Sequence, residues 1–581
     1  MRTIEVKTVD PQQCHKNNES SVFTPEAPTT RISYFSNSGT SPLLGLTIGE
    51  LLDYASRKYA NNEFLVVPFQ GIRKTYRQLK EEVDNLARGF LSLGLKRGDR
   101  LAIWSPNTYE CYVTQLAAWK AGLILVCINA AYQSRELLYA LNKVGVRCIV
   151  ISSPFRTQNF YDILAKCVPE LETSTAGQLK SKEAPELEMV IAVDEEMRGT
   201  YSFSHVMSLG ANSIPLNELS LLDVQFDDVC ALFFTSGTTG SPKASQTTHF
   251  ALVNNGFFVG KRLQIREKDR VCLPVPLFHV YGCQVGYFAC MYYGATVVLP
   301  SYGYDAHSIA YVSSIERCSI VVGTPTMFTD ILKVTEKENY DLSSLRVAST
   351  GGAICSKQLV EDLKTKLPFK LVASNYGMTE IGAAYQSLPS DSDDITSTTV
   401  GFPGEHVEVK LVDKLGNIVP LGQEGELCVR SYSVTQGYWS EVEKTSEVLK
   451  PSRWFHTGDL FVMMESGHAR IVGRVKEMIN RGGENVYPVE VEGFLKTHPK
   501  IEDAQVFGVP DTRMGEEVAA WIHLKEHQIM TVDDVKQFCR GQISHFKIPK
   551  YILFRDDFPK TPLGKVQKFR MREETVKVLK L

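Results

Sequence analysis

From Thr75 to Ser152 short apolar runs alternate with amphipathic ones, and few folds accommodate that rhythm. Thr75 and Gln78 can form a capping box, and Leu79, Val83, Leu86, Phe90 and Leu93 recur three and four residues apart up to Gly94, which predicts a helix over 75–94. Arg100 to Trp104 reads as a strand, Asn107 to Lys120 as a helix, Leu123 to Ile128 as a strand, Ser134 to Val144 as a helix and Arg147 to Ser152 as extended chain. Strands and helices in alternation require parallel strands joined by helical crossovers, so an α/β class with parallel sheets is expected. The rhythm returns from Ala295 to Thr324. From about Glu405 it changes: Val407 to Val412 and Gly425 to Arg430 look like antiparallel strands, a β-rich subdomain. Beyond Gly473-Arg474-Val475-Lys476 the pattern is helix, strand, strand, helix, strand, with Val506 to Val509, Val532 to Cys539 and Tyr551 to Phe554 among the elements. That is a small α+β domain.

The 581 residues suffice for more than one domain and a large core. A hydrophobic share of 43% with 22% charged residues suits a globular chain, and a net charge of −3 gives no electrostatic basis for binding nucleic acid. The best apolar run, Ala121 to Ile128, is far short of the roughly 18 residues a membrane-spanning helix needs. The 13 cysteines are odd in number and scattered, with no CxxC pair, which argues against a disulfide framework and a zinc site. They are expected as small buried hydrophobes in a reducing compartment. Residues 1–40 are polar and rich in Ser, Thr, Asn and Pro, and are expected to be flexible. Arg2, Lys7 and Arg31 suit a mitochondrial transit peptide, whereas Glu5, Asp10 and Glu19 do not. The final Val-Leu-Lys-Leu is not a peroxisomal Ser-Lys-Leu.

The apolar run Val229 to Phe234 leads into Thr235-Ser236-Gly237-Thr238-Thr239-Gly240-Ser241-Pro242-Lys243. Glycines let backbone N–H groups approach an anion, hydroxyls add donors, and a lysine sets a point charge on phosphate oxygens. The spacing is not that of the P-loop, which puts four residues between its first glycine and Gly-Lys. A phosphate-binding loop of another kind is expected.

This string resembles the signature loop of the adenylate-forming superfamily, which holds acyl-CoA synthetases, peptide-synthetase adenylation domains and luciferases. Phe234 stands in front, and Ala244 replaces the usual final glycine. Other motifs of that superfamily follow in order. Tyr376-Gly377-Met378-Thr379-Glu380 resembles its Y-G-x-T-E motif, which implies that Tyr376 stacks on adenine, Thr379 touches the α-phosphate and Glu380 holds Mg²⁺. An aromatic face and a hard carboxylate suit those tasks. Thr350-Gly351-Gly352-Ala353 resembles the segment lining the adenine pocket, and Met378 replaces the commoner threonine. His456-Thr457-Gly458-Asp459 implies a ribose-binding role for Asp459, with Arg474 also reaching the nucleotide. Pro274 to His279 resembles the segment beside the carboxylate substrate, which implies His279 at the junction of the acyl and nucleotide sites. Lys476 falls on the hinge position. Glu477 to Asn485 resembles the loop whose glycines, here Gly482 and Gly483, line the pantetheine path once the small domain has turned. Lys565, in Thr561-Pro562-Leu563-Gly564-Lys565, matches the lysine that serves adenylation.

The runs Arg513 to Glu517 and Ser544 to Tyr551 bring the chain nearest to the mitochondrial, medium-chain branch of the fatty acyl-CoA synthetases. The resemblance implies a flexible segment 1–40, a large AMP-binding domain 41–475, and a mobile small domain 476–581 hinged at Lys476. It implies ATP-dependent ligation of a fatty acid to coenzyme A through an acyl-AMP, with ATP, Mg²⁺ and CoA as cofactors or co-substrates, in the mitochondrion or alternatively the cytoplasm. The alternatives are a ligase for an aryl or longer-chain carboxylate, a luciferase-like oxidase, and a lipid- or nucleotide-binding pseudoenzyme. The last is disfavoured because Lys565, Glu380 and Asp459 are all present. The segment with Gly282, Val285 and Gly286 is expected to line the acyl pocket.

Overall fold

The computed structural model describes residues 31–581 except 195–196, 214, 216–218, 220–221, 237–241, 353–354, 475–477, 487, 560–565 and 567. Two large sheets dominate. One runs in the order Pro242–Thr248, Val229–Ser236, Ile124–Ile128, Arg100–Trp104, Cys148–Ile151, Met189–Ala192, Tyr201–Ser202, and is parallel except for its first pair. The other runs Phe402–Pro403, Gly382–Gln386, Leu371–Met378, Val347–Gly351, Ile320–Gly323, Arg270–Cys272, Thr296–Val298, Glu63–Val67, Ile72–Thr75, parallel at its centre and antiparallel at both ends. Central strands such as Ile124–Ile128 and Cys148–Ile151 are buried along their whole length, so they read as unbroken apolar runs rather than alternating ones.

One core cluster joins both sheets. It takes Leu101, Ile103 and Leu125 from the first, Leu65, Val271 and Val322 from the second, and helices Ile48–Lys58, Tyr76–Ser92 and Tyr109–Lys120 between them. Helix Tyr76–Ser92 starts on Thr75 with the expected capping box to Gln78. The next helix begins at Tyr109 rather than Asn107, because Thr108 is its N-cap and accepts from Cys111 N–H.

Five antiparallel strands form the β-rich part: Tyr34–Asn37, Val407–Val412, Glu424–Ser431, Phe455–Met463 and Ala469–Arg474. Here the structure departs from the sequence reading, because part of the stretch expected to be flexible through residue 40 is an edge strand. Its partner supplies the order that its own polar sequence does not announce, with Phe35 opposite Val409 and its ring edge-on to Phe402 at 4.9 Å. The C-terminal α+β domain holds a second small sheet of hairpin Ile479–Arg481/Glu484–Val486, then Gly515–Leu524, Ile501–Asp511 and Tyr551–Phe554. The hairpin and the final helix Lys568–Leu579 add to the expected order. Every described cysteine is buried and unpaired. Among the described residues no helix is long and apolar enough to cross a membrane.

Strands Ile320–Gly323, Val347–Gly351 and Leu371–Met378 are parallel neighbours, so their carboxyl ends share one edge. In open α/β sheets ligands bind there. The helix His249–Arg262 is anchored to this region by Arg262, which is buried and donates to the carbonyls of Gln386 and Phe402, both at 2.7 Å, and of Pro403. Burial pushes the Arg262 guanidinium down to about 10. Arg262→Met should leave these buried carbonyls unpaired. At roughly 1–3 kcal/mol for each unmet buried acceptor, a loss of about 3 kcal/mol is expected. Denaturant unfolding checks this, and a midpoint unchanged from wild type would contradict it.

Candidate active site

The strand Val229–Ser236 pairs antiparallel with Pro242–Thr248, placing Thr235 opposite Lys243. The two strands therefore present one residue from each end of the candidate phosphate loop side by side. Gly237, Thr238, Thr239, Gly240 and Ser241 lie outside the described residues, as do Ala353, Lys476 and Lys565. Tyr139 fixes the loop's exit by donating its hydroxyl to the Pro242 carbonyl at 3.0 Å. Ala244 is fully buried, packs in the core cluster behind the sheet, and accepts from Trp439 N–H at 2.8 Å. The methyl that replaces the usual glycine's hydrogen is thus part of the core.

Glu380 is the centre of the site. It is 4% exposed, and its Oε1 accepts from Thr235 Oγ1 at 3.2 Å and from Tyr438 OH at 3.0 Å. The Lys243 ammonium stands 4.7 Å from the centre of the Tyr438 ring. Burial raises the Glu380 carboxyl above its ordinary range, opposed by these hydroxyls and by Lys243. Burial likewise lowers Lys243, with Lys444 adding to the effect. Among the described residues no cluster of three or more His, Cys, Asp or Glu side chains could cage a metal. A single buried carboxylate beside a phosphate loop fits Mg²⁺, which keeps its waters and binds through one or two carboxylates plus substrate phosphates.

A second group forms at the carboxyl end of Leu371–Met378. Tyr376 OH donates to Asp459 Oδ2 at 2.7 Å, and Phe461 sits edge-on to the Tyr376 ring at 4.9 Å. In the backbone register of the Phe455–Met463/Ala469–Arg474 pair, position 459 is matched with position 474. The Asp459 N–H donates to Thr457 Oγ1 at 3.1 Å, and Gly458, at φ 73°, gives its N–H to Glu426 Oε1 at 3.1 Å. An aromatic face and a carboxylate are thereby held together, the pairing that recognition of a nucleoside's base and ribose needs. Thr379, which precedes Glu380 in the chain, is half-buried.

The third group comes from the C-terminal domain. Gly482 and Gly483 turn the hairpin at φ 58° and 97°, values that only glycine adopts freely and that a tight two-residue turn of this hand demands. The turn rests against the strand ends. A Cβ on Gly483 would stand 2.9 Å from Thr324 Cγ2, Asn480 donates its amide to the Gly352 carbonyl, and Gly483 N–H donates to Asn480 Oδ1 at 3.1 Å. Gly351 ends its strand and Gly352 follows at φ 82°.

His279 precedes the helix Val280–Cys283 and is half-buried, with its ring 5.7 Å from that of Phe278. The chain continues through a π-helical segment, Gln284–Ala289, into Cys290–Tyr293. Tyr281 ties this segment to the site by donating to the Ser349 carbonyl at 3.0 Å. Val285 is fully buried, and a Cβ on Gly282 or Gly286 would meet the Pro276 carbonyl at 2.4 Å or Leu273 at 2.3 Å. The two glycines pack on the segment that precedes His279.

Residues 52–439 match the AMP-binding enzyme family, and residues 490–565 match the AMP-binding enzyme C-terminal domain. The chain belongs to the AMP-binding enzymes. It is 41% identical to the medium-chain acyl-CoA ligase ACSF2, mitochondrial, of Danio rerio over 565 residues, 96% of this chain and 93% of that one. It is 36% identical to the putative acyl-CoA synthetase YngI of Bacillus subtilis over 545 residues, 93% of this chain and 99% of that one. Among solved structures, the amide bond synthetase McbA from Marinactinospora thermotolerans shares the fold, with a TM-score of 0.78 at 23% identity over 91% of this chain and 99% of that one.

The sequence reading of this AMP-binding enzyme quoted Asn480 within a motif but gave it no role, and gave none to Tyr438, Thr324 or Tyr281. Tyr438 stands 58 positions from the carboxylate it meets, and its neighbours Gly437 and Trp439 gave no sign of that crossing. Tyr438→Phe removes one hydroxyl while keeping the ring beside Lys243. A hydrogen bond to a charged group contributes roughly 1.5–3 kcal/mol, and Glu380 Oε1 loses one of its two hydroxyl donors, so a lower melting temperature is expected together with an adenylation rate lower by about ten- to a hundredfold. Pyrophosphate release measured beside a thermal melt checks both halves of that statement.

Proposed function

We propose that this AMP-binding enzyme ligates a fatty acid, of medium chain length, to coenzyme A at the expense of ATP. The observation that carries this reading is the convergence of Glu380, Thr235, Tyr438 and Lys243 at the mouth of the phosphate loop. The name of the ACSF2 relative supplies the acyl class and favours the mitochondrion as the compartment. The reading divides the chain into a large domain 41–475 and a small domain 476–581 that turns about Lys476.

In the first half-reaction a carboxylate oxygen attacks the α-phosphorus of ATP. The bond from that phosphorus to the bridging oxygen breaks, and pyrophosphate leaves. Two anions must meet, so the work of the protein is positioning and charge neutralisation. Lys243 lies along the phosphate path, Tyr376 and Asp459 orient the nucleoside, Arg474 reaches the nucleotide, Thr379 faces the α-phosphate, and His279 borders the carboxylate. Glu380 would hold Mg²⁺, which when bound offsets phosphate charge. Lys565 completes the neutralisation in this half only. In the second half-reaction the thiol sulfur of CoA attacks the acyl carbon, the bond to AMP breaks, and the thiol proton passes to solvent. The position of Gly483 against Thr324 and near Gly352 supports assigning the observed docking of the C-terminal domain to this second half, with the turn lining the pantetheine path.

The test is an activity screen over fatty acids of increasing length, with ATP and CoA, reading pyrophosphate and thioester. Thioester that peaks at medium length is expected. Pyrophosphate without thioester, together with oxygen uptake, would favour the oxidase reading, and no pyrophosphate with any acid would reject the reading outright. Lys565→Ala should lower adenylation by about 10²–10³, the scale for losing one preorganised charge at the reacting centre. The same variant should convert supplied acyl-AMP and CoA to thioester at the wild-type rate. An equal fall in both halves would remove Lys565 from its role.

A further inference from the structure

Two ion pairs cross from the C-terminal domain to the rest of the chain among the described residues, and they differ in kind. Arg513 reaches Asp330 at 2.8 Å with its own side chain 56% exposed, and exposed pairs contribute little. The other is dry. Lys547 Nζ lies 2.9 Å from Glu136 Oε1 and 2.7 Å from Glu490 Oε1. Ser544 Oγ donates to the same Glu136 carboxylate, 3.0 and 3.1 Å from its two oxygens. Glu136, Ser544 and Lys547 are 9%, 0% and 3% exposed. Tyr132 roofs the contact with its ring 5.7 Å from the ammonium, and Ala131 packs against the core of the C-terminal domain.

We propose that Glu136 and Lys547 form an interdomain latch, a positioning pair that seats the Gly482–Gly483 turn for thioester formation. The proposal rests on the acyl-CoA ligase reading above. The geometry links latch to turn directly. Lys547 ends the short helix His545–Lys547, and this helix packs against hairpin strand Glu484–Val486, whose turn is Gly482–Gly483. Asn480, on the opposite strand of the hairpin, holds the Gly352 carbonyl. The latch therefore anchors one side of the hairpin while Asn480 anchors the other.

The chemistry of the pair makes it specific to one orientation. Lys547 keeps Glu490, a residue of its own domain, when the domain turns, whereas Glu136 loses both Lys547 and Ser544 and returns to water. Burial pulls the Lys547 ammonium down, but Glu136 and Glu490 outweigh it and hold the ammonium above its ordinary range. A buried charge that loses its partner is penalised only while it remains buried. Neutralising Glu136 thus weighs on the docked orientation and spares the fold of each domain. Glu136 also caps its helix, accepting from Gln133 N–H at 3.1 Å, and a glutamine at 136 can still accept there.

The experiment uses the full chain with Glu136→Gln, and Ser544→Ala as a second variant that leaves both charges in place. Each half-reaction is measured in a single turnover, and amide exchange is followed over 131–144 and 544–548. For Glu136→Gln, thioester formation from supplied acyl-AMP should fall about tenfold, within the usual range for coupling between distant sites. Pyrophosphate release should hold near wild type, and exchange should rise on both sides of the contact. Ser544→Ala should shift the same two readings in the same direction by a smaller factor. Equal loss in both halves would reduce Glu136 to a structural residue and overturn the latch. So would unchanged thioester formation or an unchanged exchange pattern. Failure of the ligase reading shows separately, as absence of pyrophosphate release by the wild-type enzyme with every fatty acid tried.

Discussion

A carboxylate that is 4% exposed must be answered from within the protein, and Glu380 is answered by chain segments far from it in sequence. Thr235 reaches it from the end of one parallel sheet, Tyr438 from the connection between the β-rich strands Glu424–Ser431 and Phe455–Met463, and the turn after Leu371–Met378 supplies the carboxylate itself. Low polarity strengthens each of these contacts and makes an unanswered charge costly. The site is consequently over-determined. Thr435 N–H holds the Glu380 carbonyl at 2.7 Å, and the Thr435 hydroxyl donates to the Gln246 carbonyl at 2.7 Å. The hairpin Val229–Ser236/Pro242–Thr248, the turn that carries Glu380 and Tyr438 are therefore tied together by the chain's own hydrogen bonds. Preorganisation of that kind is what electrostatic catalysis requires, because dipoles already aimed need no reorganisation as charge develops.

The contact of Tyr376 with Asp459 is likewise built across distant segments. Tyr376 and Asp459 belong to different sheets, and the hydrogen bond between them joins the carboxyl edge of the parallel sheet to the antiparallel one. Close packing makes that approach possible. A Cβ on Gly377 would fall 2.2 Å from the Gly382 carbonyl oxygen, so only glycine allows the strand after Tyr376 to bulge and turn into Glu380. The spacing of Tyr376, Gly377 and Glu380 thus follows from a steric limit as well as from chemistry.

The sequence was most legible where pattern is local. Helix Ser134–Val144, strand Arg100–Trp104, helix Val532–Cys539 and strand Tyr551–Phe554 end where the apolar spacing and the flanking turn residues end. Legibility failed where order comes from a distant partner. Tyr34–Asn37 is four residues of mixed polarity, ordered by pairing with Val407–Val412. The strand expected over Val506 to Val509 runs Ile501–Asp511, because its long antiparallel partner Gly515–Leu524 extends the ladder past the apolar centre. In the site, motif strings marked Glu380, Asp459 and Lys243, each inside a recognisable local pattern. Tyr438 and Glu136 lie in no such motif, and the loop Glu477 to Asn485 marks its glycines rather than Asn480; the contacts of the three span 58, 411 and 128 positions. Nothing in a residue's neighbours reports on such a distance.

The two halves of the proposed reaction set opposing demands on the domain interface. On that proposal the small domain is seated closely enough for its turn to stand against Thr324 and Gly352, and it also leaves. An interface of apolar side chains alone would favour contact without fixing one orientation, since hydrophobic burial is non-directional. A buried ion pair does the reverse: its net contribution to stability is small, because desolvation offsets attraction, while its geometric demand is strict. The contact of Glu136 with Lys547 and Ser544 has that character. Because Lys547 retains Glu490 on departure, the cost of release falls mainly on re-solvating one carboxylate, which keeps the docked state well defined in geometry without making it a trap.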